Sequence, residues 1–255
     1  MPLRHIFISL LALCSSLPLR AEKLTVAASS DLTYVMDALK AAFKKAEPAV
    51  EVTTVTGSSG NFFAQIQNSA PVDIFLSADL DYPKKLANAG NADATTLFTF
   101  ATGRIVLWTS DRKMKLPDIA TALADPRVKH IAIANSATAP YGRATKEALL
   151  NLGLWTANES KFVLGENITQ TAQFVETGNA EVGFVALALM LSPKHKIKGS
   201  YCLVPTELYK PLDQGAIITR YGANNAAAKR YLAFLKTRAA RDILERFGYD
   251  IPPSF

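Results

Sequence analysis

The sequence is poor in the residues that build metal and redox sites. Its 255 residues include two cysteines and three histidines. The cysteines do not have metal-ligand spacing, and neither a His-Glu-x-x-His segment nor a Gly-x-Ser-x-Gly turn occurs. A zinc centre, a metalloprotease site and the nucleophile turn of a serine hydrolase therefore lack their usual signatures. We predict a protein that is not an enzyme and that carries no catalytic residues and no resident metal or other cofactor.

Long apolar runs are confined to the N-terminus. Arg4 precedes an apolar run over residues 6–17, and Ala21 supplies the small residue expected before a signal-peptide cleavage point. The run is too short for a stable membrane-spanning helix, and no later segment reaches roughly eighteen uninterrupted apolar residues. We therefore interpret residues 1–21 as a signal peptide and expect a soluble mature chain that begins at Glu22.

Cysteine usage then indicates the compartment. Once residues 1–21 are removed, Cys202 is the only cysteine, so an internal disulfide is excluded. Export without disulfides favours a bacterial periplasm over the extracellular space of small disulfide-rich domains. A lipid anchor at Cys14 is the alternative, and it is disfavoured because the large Leu13 stands where a small residue is needed.

Charge of either sign is not concentrated anywhere. The formal net charge is +6, but the lysines and arginines are scattered and form no basic stripe interleaved with aromatic residues. Nucleic acid is therefore not an expected partner. The positive balance could accompany an anionic ligand, although an ordinary solvated surface explains it better.

Short apolar runs alternate with segments of helical periodicity, a pattern typical of α/β proteins. We predict two lobes, residues 22–103 with 209–255 and residues 104–208, joined by two crossing strands. The predicted strands are residues 24–28, 50–56, 72–76, 105–109, 130–134, 162–164, 182–185, 201–204 and 215–219. The predicted helices are residues 32–43, 62–68, 82–89, 119–123, 140–152, 168–177, 186–191, 226–236 and 239–247.

Four strand-to-helix junctions carry the candidate chemistry. At each one a strand ends in small hydroxyl residues, asparagine or glycine, and a helix begins at once. Two junctions fall in each predicted lobe. They are residues 27–32 (AASSDL), 56–60 (TGSSG), 135–142 (NSATAPYG) and 165–169 (GENIT).

Such junctions are suited to bind an anion. The first N–H groups of a helix have no partner inside the helix, and the helix dipole favours negative charge there. In open α/β sheets, ligands bind outside the carboxyl ends of the strands, where all four junctions lie. Any single junction is more often an ordinary helix cap. Four of them, divided evenly between two lobes, favour a shared oxyanion site.

With these residues in view, the chain resembles the periplasmic molybdate-binding proteins of ABC importers over nearly its whole mature length. The most specific segment is Ala-Pro-x-Asp-x-Phe-x-Ser-Ala-Asp at residues 70–79. Further segments that carry the resemblance are residues 27–32, 57–60, 140–142 with 146–149, 167–168, 182–185 and 247–249.

The resemblance implies a two-lobed type II periplasmic-binding-protein fold, in which each lobe is a mixed sheet flanked by helices. It also implies molybdate or tungstate as ligand, the membrane permease of an ABC importer as partner, and a monomer. The residues that match the family's ligand contacts are Ser30, Asp31, Ser59, Tyr141 and Ile168. Two positions depart from some members, which have a serine where Asp31 stands and a tyrosine where Ala186 stands.

Asp31 is the position that bears on the choice of anion. Molybdate is fully deprotonated near neutral pH and only accepts hydrogen bonds, so a carboxylate aimed at it would be unfavourable. We therefore expect Asp31 to offer its backbone N–H to the ligand and to turn its carboxylate away as a helix N-cap. Phosphate retains a proton that a carboxylate could accept, which makes phosphate an alternative ligand. Sulfate, which only accepts hydrogen bonds, is another.

Two other classes of protein remain open. A binding protein for an amino acid or another organic anion, a sugar or a ferric ion would need different pocket residues. Arg143 is the only nearby cation for a carboxylate ligand, and we interpret it as helix surface. A secreted hydrolase would need an activated nucleophile, and Ser59 has no evident histidine base.

Overall fold

The computed structural model describes residues 22–192 and 198–253 and contains two five-stranded mixed sheets flanked by helices. The predicted signal peptide, including Cys14, lies outside the described residues. In chain order the strands are β1 (Glu22–Ser29), β2 (Val50–Gly57), β3 (Ile74–Ser77), β4 (Phe98–Gly103), β5 (Ile105–Thr109), β6 (Ile131–Ala134), β7 (Phe162–Gly165), β8 (Val182–Ala186), β9 (Ser200–Leu203) and β10 (Leu212–Ile218).

Ten α-helices lie within the described residues. Short 3-10 helices occur as well, of which Ser30–Leu32, directly after β1, matters for the site. The α-helices are α1 (Thr33–Ala46), α2 (Ser59–Gln67), α3 (Asp81–Asn88), α4 (Ile119–Ala124), α5 (Pro140–Asn151), α6 (Trp155–Asn158), α7 (Ile168–Glu176), α8 (Leu187–Met190), α9 (Ala226–Leu235) and α10 (Arg238–Arg246).

The two sheets have the same arrangement of strands. The first has the order β2-β1-β3-β10-β4, and the second has the order β7-β6-β8-β5-β9. In the first, β1 runs parallel to β2 and β3, while β10 is antiparallel to β3 and β4. In the second, β6 runs parallel to β7 and β8, while β5 is antiparallel to β8 and β9. We call the first sheet with its helices lobe 1 and the second sheet with its helices lobe 2. The presence of two such mixed sheets confirms the predicted two-lobed fold.

Each lobe has its own apolar core. In lobe 1, α1, α9 and α10 pack on the sheet, and the ring of Phe43 lies 4.9 Å from that of Tyr231 and 5.4 Å from that of Phe234. The two final helices of the described chain thus share the core of lobe 1. None of the helices in residues 22–192 and 198–253 is long and apolar enough to cross a membrane.

Two segments connect the lobes side by side. One is the passage from β4 to β5 at Gly103–Ile105, and the other runs from β9 to β10. They are tied together, because β4 pairs with β10 and the Thr102 hydroxyl donates to Asp213 Oδ1 at 2.8 Å. Arg104 Nε donates to Asp250 Oδ2 at 2.7 Å and holds the C-terminal segment beside them. The predicted two-strand hinge is thus present, whereas the residue limits given above for the lobes stay a prediction.

Candidate functional site

The four junctions meet where the lobes face each other. Parallel pairing of β1 with β2 brings their carboxyl ends to one edge of lobe 1, and β6 with β7 does the same in lobe 2. The junction at residues 27–32 contacts both junctions of lobe 2, and the junction at residues 56–60 contacts one directly and the other through the next residue, Asn61. The contacts are Tyr141 hydroxyl to Asp31 Oδ2 (3.2 Å), Thr169 Oγ1 to the Ser30 carbonyl (2.8 Å), Gly60 N–H to the Thr138 carbonyl (2.9 Å) and Asn61 Nδ2 to Glu166 Oε1 (3.3 Å).

Among residues 22–192 and 198–253, the first N–H of α2 has no capping partner. The Ser58 hydroxyl accepts from the N–H of Asn61 at 3.3 Å, and the N–H of Gly60 donates to Thr138 across the cleft. Ser59, the first residue of the helix, is fully buried, and its Oγ accepts from the N–H of Ala78 at 3.0 Å. Because Oγ is held as an acceptor there, its own proton can be donated elsewhere. Ser59 therefore offers two neutral donors, its N–H and its hydroxyl.

The N-terminus of α7 has the same pattern. The Asn167 side chain accepts from the N–H of Thr169 at 3.0 Å and from that of Gln170 at 3.1 Å. This cap satisfies the second and third N–H groups and leaves that of Ile168, the first, uncapped. Thr169 meanwhile donates to the carbonyl of Ser30 in lobe 1. The uncapped N–H groups of α2 and α7 thus belong to opposite lobes.

Tyr141 is placed by the start of α5. Pro140 is the first residue of this helix, where its missing N–H costs nothing because that group would have no helical partner. The side chain of Tyr141 is 1% exposed, and its hydroxyl donates to Asp31. Burial and the neighbouring Asp31 carboxyl hold the pKa of Tyr141 well above its usual range. Tyr141 therefore remains a neutral phenol whose single proton is directed at Asp31.

Asp31 is the centre of a buried polar cluster. Its Oδ2 accepts from three donors: the hydroxyls of Tyr141 (3.2 Å) and Tyr249 (2.6 Å) and the Gln214 side-chain amide (3.0 Å). Its Oδ1 is buried and has no hydrogen-bond partner in the described part of the chain. Burial raises the pKa of the Asp31 carboxyl, and the hydroxyls of Ser29, Tyr249 and Tyr141 only partly counter this.

The expectation that Asp31 acts as an N-cap is wrong. Ser29 precedes the 3-10 turn Ser30–Leu32 and Leu32 precedes α1, so Asp31 lies inside the turn and caps neither element. The carboxyl is instead the acceptor of two tyrosine hydroxyls and an amide, which are brought in from α5, the C-terminal segment and β10.

The five residues predicted from the sequence all lie at the meeting of the lobes. The site also uses residues that the sequence did not single out as ligands or supports: Gly60, Thr169, Gln214 and Tyr249. Tyr249 belongs to the Phe-Gly-Tyr segment that carries the family resemblance. The residues around it in the sequence do not indicate its contact with Asp31, which is 218 positions away. Ala186 ends β8 and is fully buried.

Arg143 does more than cover the surface of its helix. From α5 it reaches lobe 1, where it forms an ion pair with Asp79 and donates to the Tyr82 hydroxyl at 2.9 Å. Its guanidinium also lies over the Tyr82 ring, 5.3 Å from the centroid. This group ties the two lobes together beside the junctions.

A groove of about 810 Å³ lies on the outer side of these contacts, between α3 and α5. Ala78, Pro140 and Arg143 are among its lining residues, but none of the five predicted ligand residues is. It is open and lined by charges of both signs, so it does not offer the uncharged donors that an oxyanion needs. No group of three or more His, Cys, Asp or Glu side chains that could hold a metal ion occurs in residues 22–192 and 198–253.

Comparison with known proteins gives a consistent result. The family model for bacterial extracellular solute-binding proteins matches residues 24–250. The molybdate-binding protein ModA of Azotobacter vinelandii is 39% identical over 232 residues, which cover 91% of each chain. The ModA of Rhodobacter capsulatus is 39% identical over 234 residues, 92% of this chain and 90% of that one. The solved periplasmic molybdate-binding protein of Azotobacter vinelandii superposes with a TM-score of 0.83 at 36% identity, over 90% of this chain and 99% of that chain.

Proposed function

The chain belongs to the family of bacterial extracellular solute-binding proteins, and from that premise we propose that it captures molybdate and delivers it to the membrane permease of an ABC importer. As a member of this family it is a binding protein and not an enzyme. Tungstate, a tetrahedral dianion of the same chemistry, is a second proposed ligand. The chain would act in the periplasm as a monomer after removal of residues 1–21, with lobe 1 formed by residues 22–103 and 209–255 and lobe 2 by residues 104–208.

The observation that carries this proposal is the pair of uncapped helix starts in opposite lobes. Ser59 in lobe 1 and Ile168 in lobe 2 each present an N–H, and Ser59 adds a hydroxyl. Ser30 lies beside Thr169 at the same point. Neutral donors suit molybdate because each of its oxygens only accepts hydrogen bonds, and a helix start favours negative charge. We propose Ser30, Asp31, Ser59, Tyr141 and Ile168 as the residues that surround the anion, with Tyr141 acting through Asp31.

Titration calorimetry tests the function directly. The protein without residues 1–21 is titrated with molybdate, tungstate, sulfate and phosphate. We expect tight binding of molybdate and tungstate. Ligand at 100 times its Kd should stabilise the folded state by about 2.7 kcal/mol. For a protein of this size that corresponds to a rise in Tm of roughly 5–10 °C. Tight binding of phosphate or sulfate with none of molybdate would refute the proposal.

Removal of the Arg143 side chain should weaken binding modestly. Arg143→Ala deletes an interlobe ion pair whose partners are partly exposed, together with a cation–π contact, and each is worth about 0.5–1 kcal/mol. Together they predict an increase in Kd of roughly 5- to 30-fold, expressed mainly in faster dissociation and reduced at high salt. Stopped-flow measurements at low and high ionic strength check this.

The matched control is Lys146→Ala. Lys146 lies on the same helix, but its ammonium stacks on Trp155 inside lobe 2, 5.1 Å from the ring centroid. It should therefore leave dissociation unchanged. Equal effects of the two substitutions would show that Arg143 does not hold the closed form.

A further inference from the structure

We propose that Asp31 meets the anion as a neutral carboxylic acid, donating a proton from Oδ1 to a ligand oxygen, so that capture of one anion takes up one proton. This inference rests on the proposed function and adds to it a named donor and a dependence on pH. It reverses the sequence-based expectation that the Asp31 carboxylate is turned away from the ligand.

The position of the proton follows from the hydrogen bonds of Oδ2. This oxygen is already the acceptor of Tyr141, Tyr249 and Gln214. A carboxyl proton on Oδ2 would face three donors and would displace at least one of them. The proton of the neutral acid must therefore lie on Oδ1, the oxygen without a partner among the described residues. A buried O–H in that position needs an acceptor, and an anion oxygen is one.

Burial raises the pKa of the Asp31 carboxyl more than the hydroxyls of Ser29, Tyr249 and Tyr141 lower it. Asp31 is fully buried, and the titratable groups that face it, Tyr141 and Tyr249, are neutral phenols. Tyr209 adjoins Tyr141 and contacts the Ile105 N–H. The elements packed on the Ser30–Leu32 turn carry these ionisable residues in the described chain: Tyr34, Asp37, Lys40, Lys44 and Lys45 on α1, Glu176 at the far end of α7 and Glu51 near the start of β2. The elements that supply the donors to Asp31 add Arg143, Lys146 and Glu147 on α5, Asp213 on β10 and Asp250 in the C-terminal segment. Arg143 and Asp250 are engaged elsewhere, in ion pairs with Asp79 and Arg104.

An ionised Asp31 would also oppose the ligand. A carboxylate beside a molybdate dianion would bring three negative charges into one closed site, and like charges at close range strongly disfavour ionisation. The proton removes one of these charges and turns an acceptor into a donor. No covalent bond forms or breaks in the ligand. One proton passes from water to the carboxylate, and molybdate stays a dianion.

Lobe closure provides the step at which the proton is taken up. Tyr141 belongs to lobe 2, so it separates from Asp31 when the lobes open, and water can then reach the carboxyl. When the lobes close, Tyr141 contacts Asp31 again and the Asp31 carboxyl is buried. The affinity of the proton for Asp31 and the affinity of molybdate for the protein are therefore linked, and each must raise the other.

The test is the pH dependence of molybdate affinity, measured by calorimetry between pH 6 and 9. At pH values where the Asp31 carboxyl of the unliganded protein is ionised, uptake of one proton on binding makes the Kd rise by about tenfold for each unit of increasing pH. We expect this slope for the wild-type protein and a flat profile for Asp31→Asn, whose amide keeps an acceptor for the tyrosines and supplies a permanent N–H donor. Asp79→Asn removes a carboxyl of the interlobe ion pair outside the site and should keep the slope.

A second measurement needs no variant. At pH 8 the binding enthalpy of the wild-type protein is measured in buffers of different ionisation enthalpy. The slope of binding enthalpy against buffer ionisation enthalpy gives the number of protons taken up per anion bound. We expect a value of one. Tight binding with no proton uptake and a flat pH profile would overturn this inference and leave the proposed function standing. No molybdate binding at any pH would overturn both. If Asp31→Asn fails to fold, the wild-type proton count alone decides.

Discussion

Replacing Gly60 with alanine should weaken molybdate binding by roughly 5- to 150-fold while the unliganded protein stays folded. Gly60 lies in the first turn of α2 in lobe 1. A Cβ there would come within 2.6 Å of the Thr138 carbonyl oxygen, which belongs to lobe 2, and within 2.8 Å of the Tyr82 hydroxyl. Overpacking of this kind costs about 1–3 kcal/mol, and about 1.4 kcal/mol is tenfold in Kd. The clash with the Thr138 backbone exists only when the lobes are closed, whereas the Tyr82 hydroxyl is the far end of a side chain in the same lobe that can shift. The cost therefore falls mainly on the liganded state.

Gly57→Ala is the matched control for this experiment. Gly57 ends β2 at the same junction, but a Cβ there would meet only the ring of Phe62 in the same lobe, at 3.1 Å. It should alter affinity little. Calorimetry gives the two Kd values, and small-angle scattering with and without molybdate reports closure. Full closure and unchanged affinity in Gly60→Ala would show that the contact between Gly60 and Thr138 is not part of the bound state.

Loss of the Ser59 hydroxyl should be nearly as damaging. A hydrogen bond to a charged group contributes about 1.5–3 kcal/mol, so Ser59→Ala should raise the Kd for molybdate by roughly 10- to 150-fold. The substitution also removes the acceptor of the Ala78 N–H. We therefore expect a lower Tm as well, and affinity must be measured at a temperature where the variant is fully folded.

Ser58→Ala separates binding from capping. The Ser58 hydroxyl accepts from the N–H of Asn61 as the N-cap of α2. Its loss should cost about 1 kcal/mol of stability and leave the Kd within a few-fold of wild type. If Ser58→Ala weakens binding as much as Ser59→Ala, the loss at Ser59 reflects damage to the helix start and not a missing donor to the anion.

Most of the fold could be predicted because local patterns specify it. Apolar runs mark the buried strands, Pro140 marks the start of α5, and glycines at positive φ follow α3 and α5 at Gly90 and Gly153. Strand β4 was missed because Phe98–Gly103 alternates phenylalanine with threonine, alanine and glycine and has no continuous apolar run. The short helix α6 was missed because four residues are too few to show a helical period.

The candidate site could be predicted only in part. Ser59 and Ile168 follow from the chemistry of helix starts, which is local and readable. The surroundings of Asp31 are not, because its three partners come from positions 110 to 218 residues away in the chain. A sequence shows that a carboxyl is present at a junction but does not show what surrounds it. The ligand role of the five residues therefore stays a prediction.

The matching order of the two sheets has a geometric consequence. Each lobe places the same two neighbouring strands, β1 with β2 or β6 with β7, behind the shared cleft, so each half offers two helix starts to one enclosed ion. A tetrahedral ion has twofold axes, each passing between two pairs of oxygens. Such an ion can present one pair of oxygens to each half in equivalent orientations. A planar ion with three oxygens cannot give two oxygens to each half, so the duplicated architecture suits tetrahedral guests better.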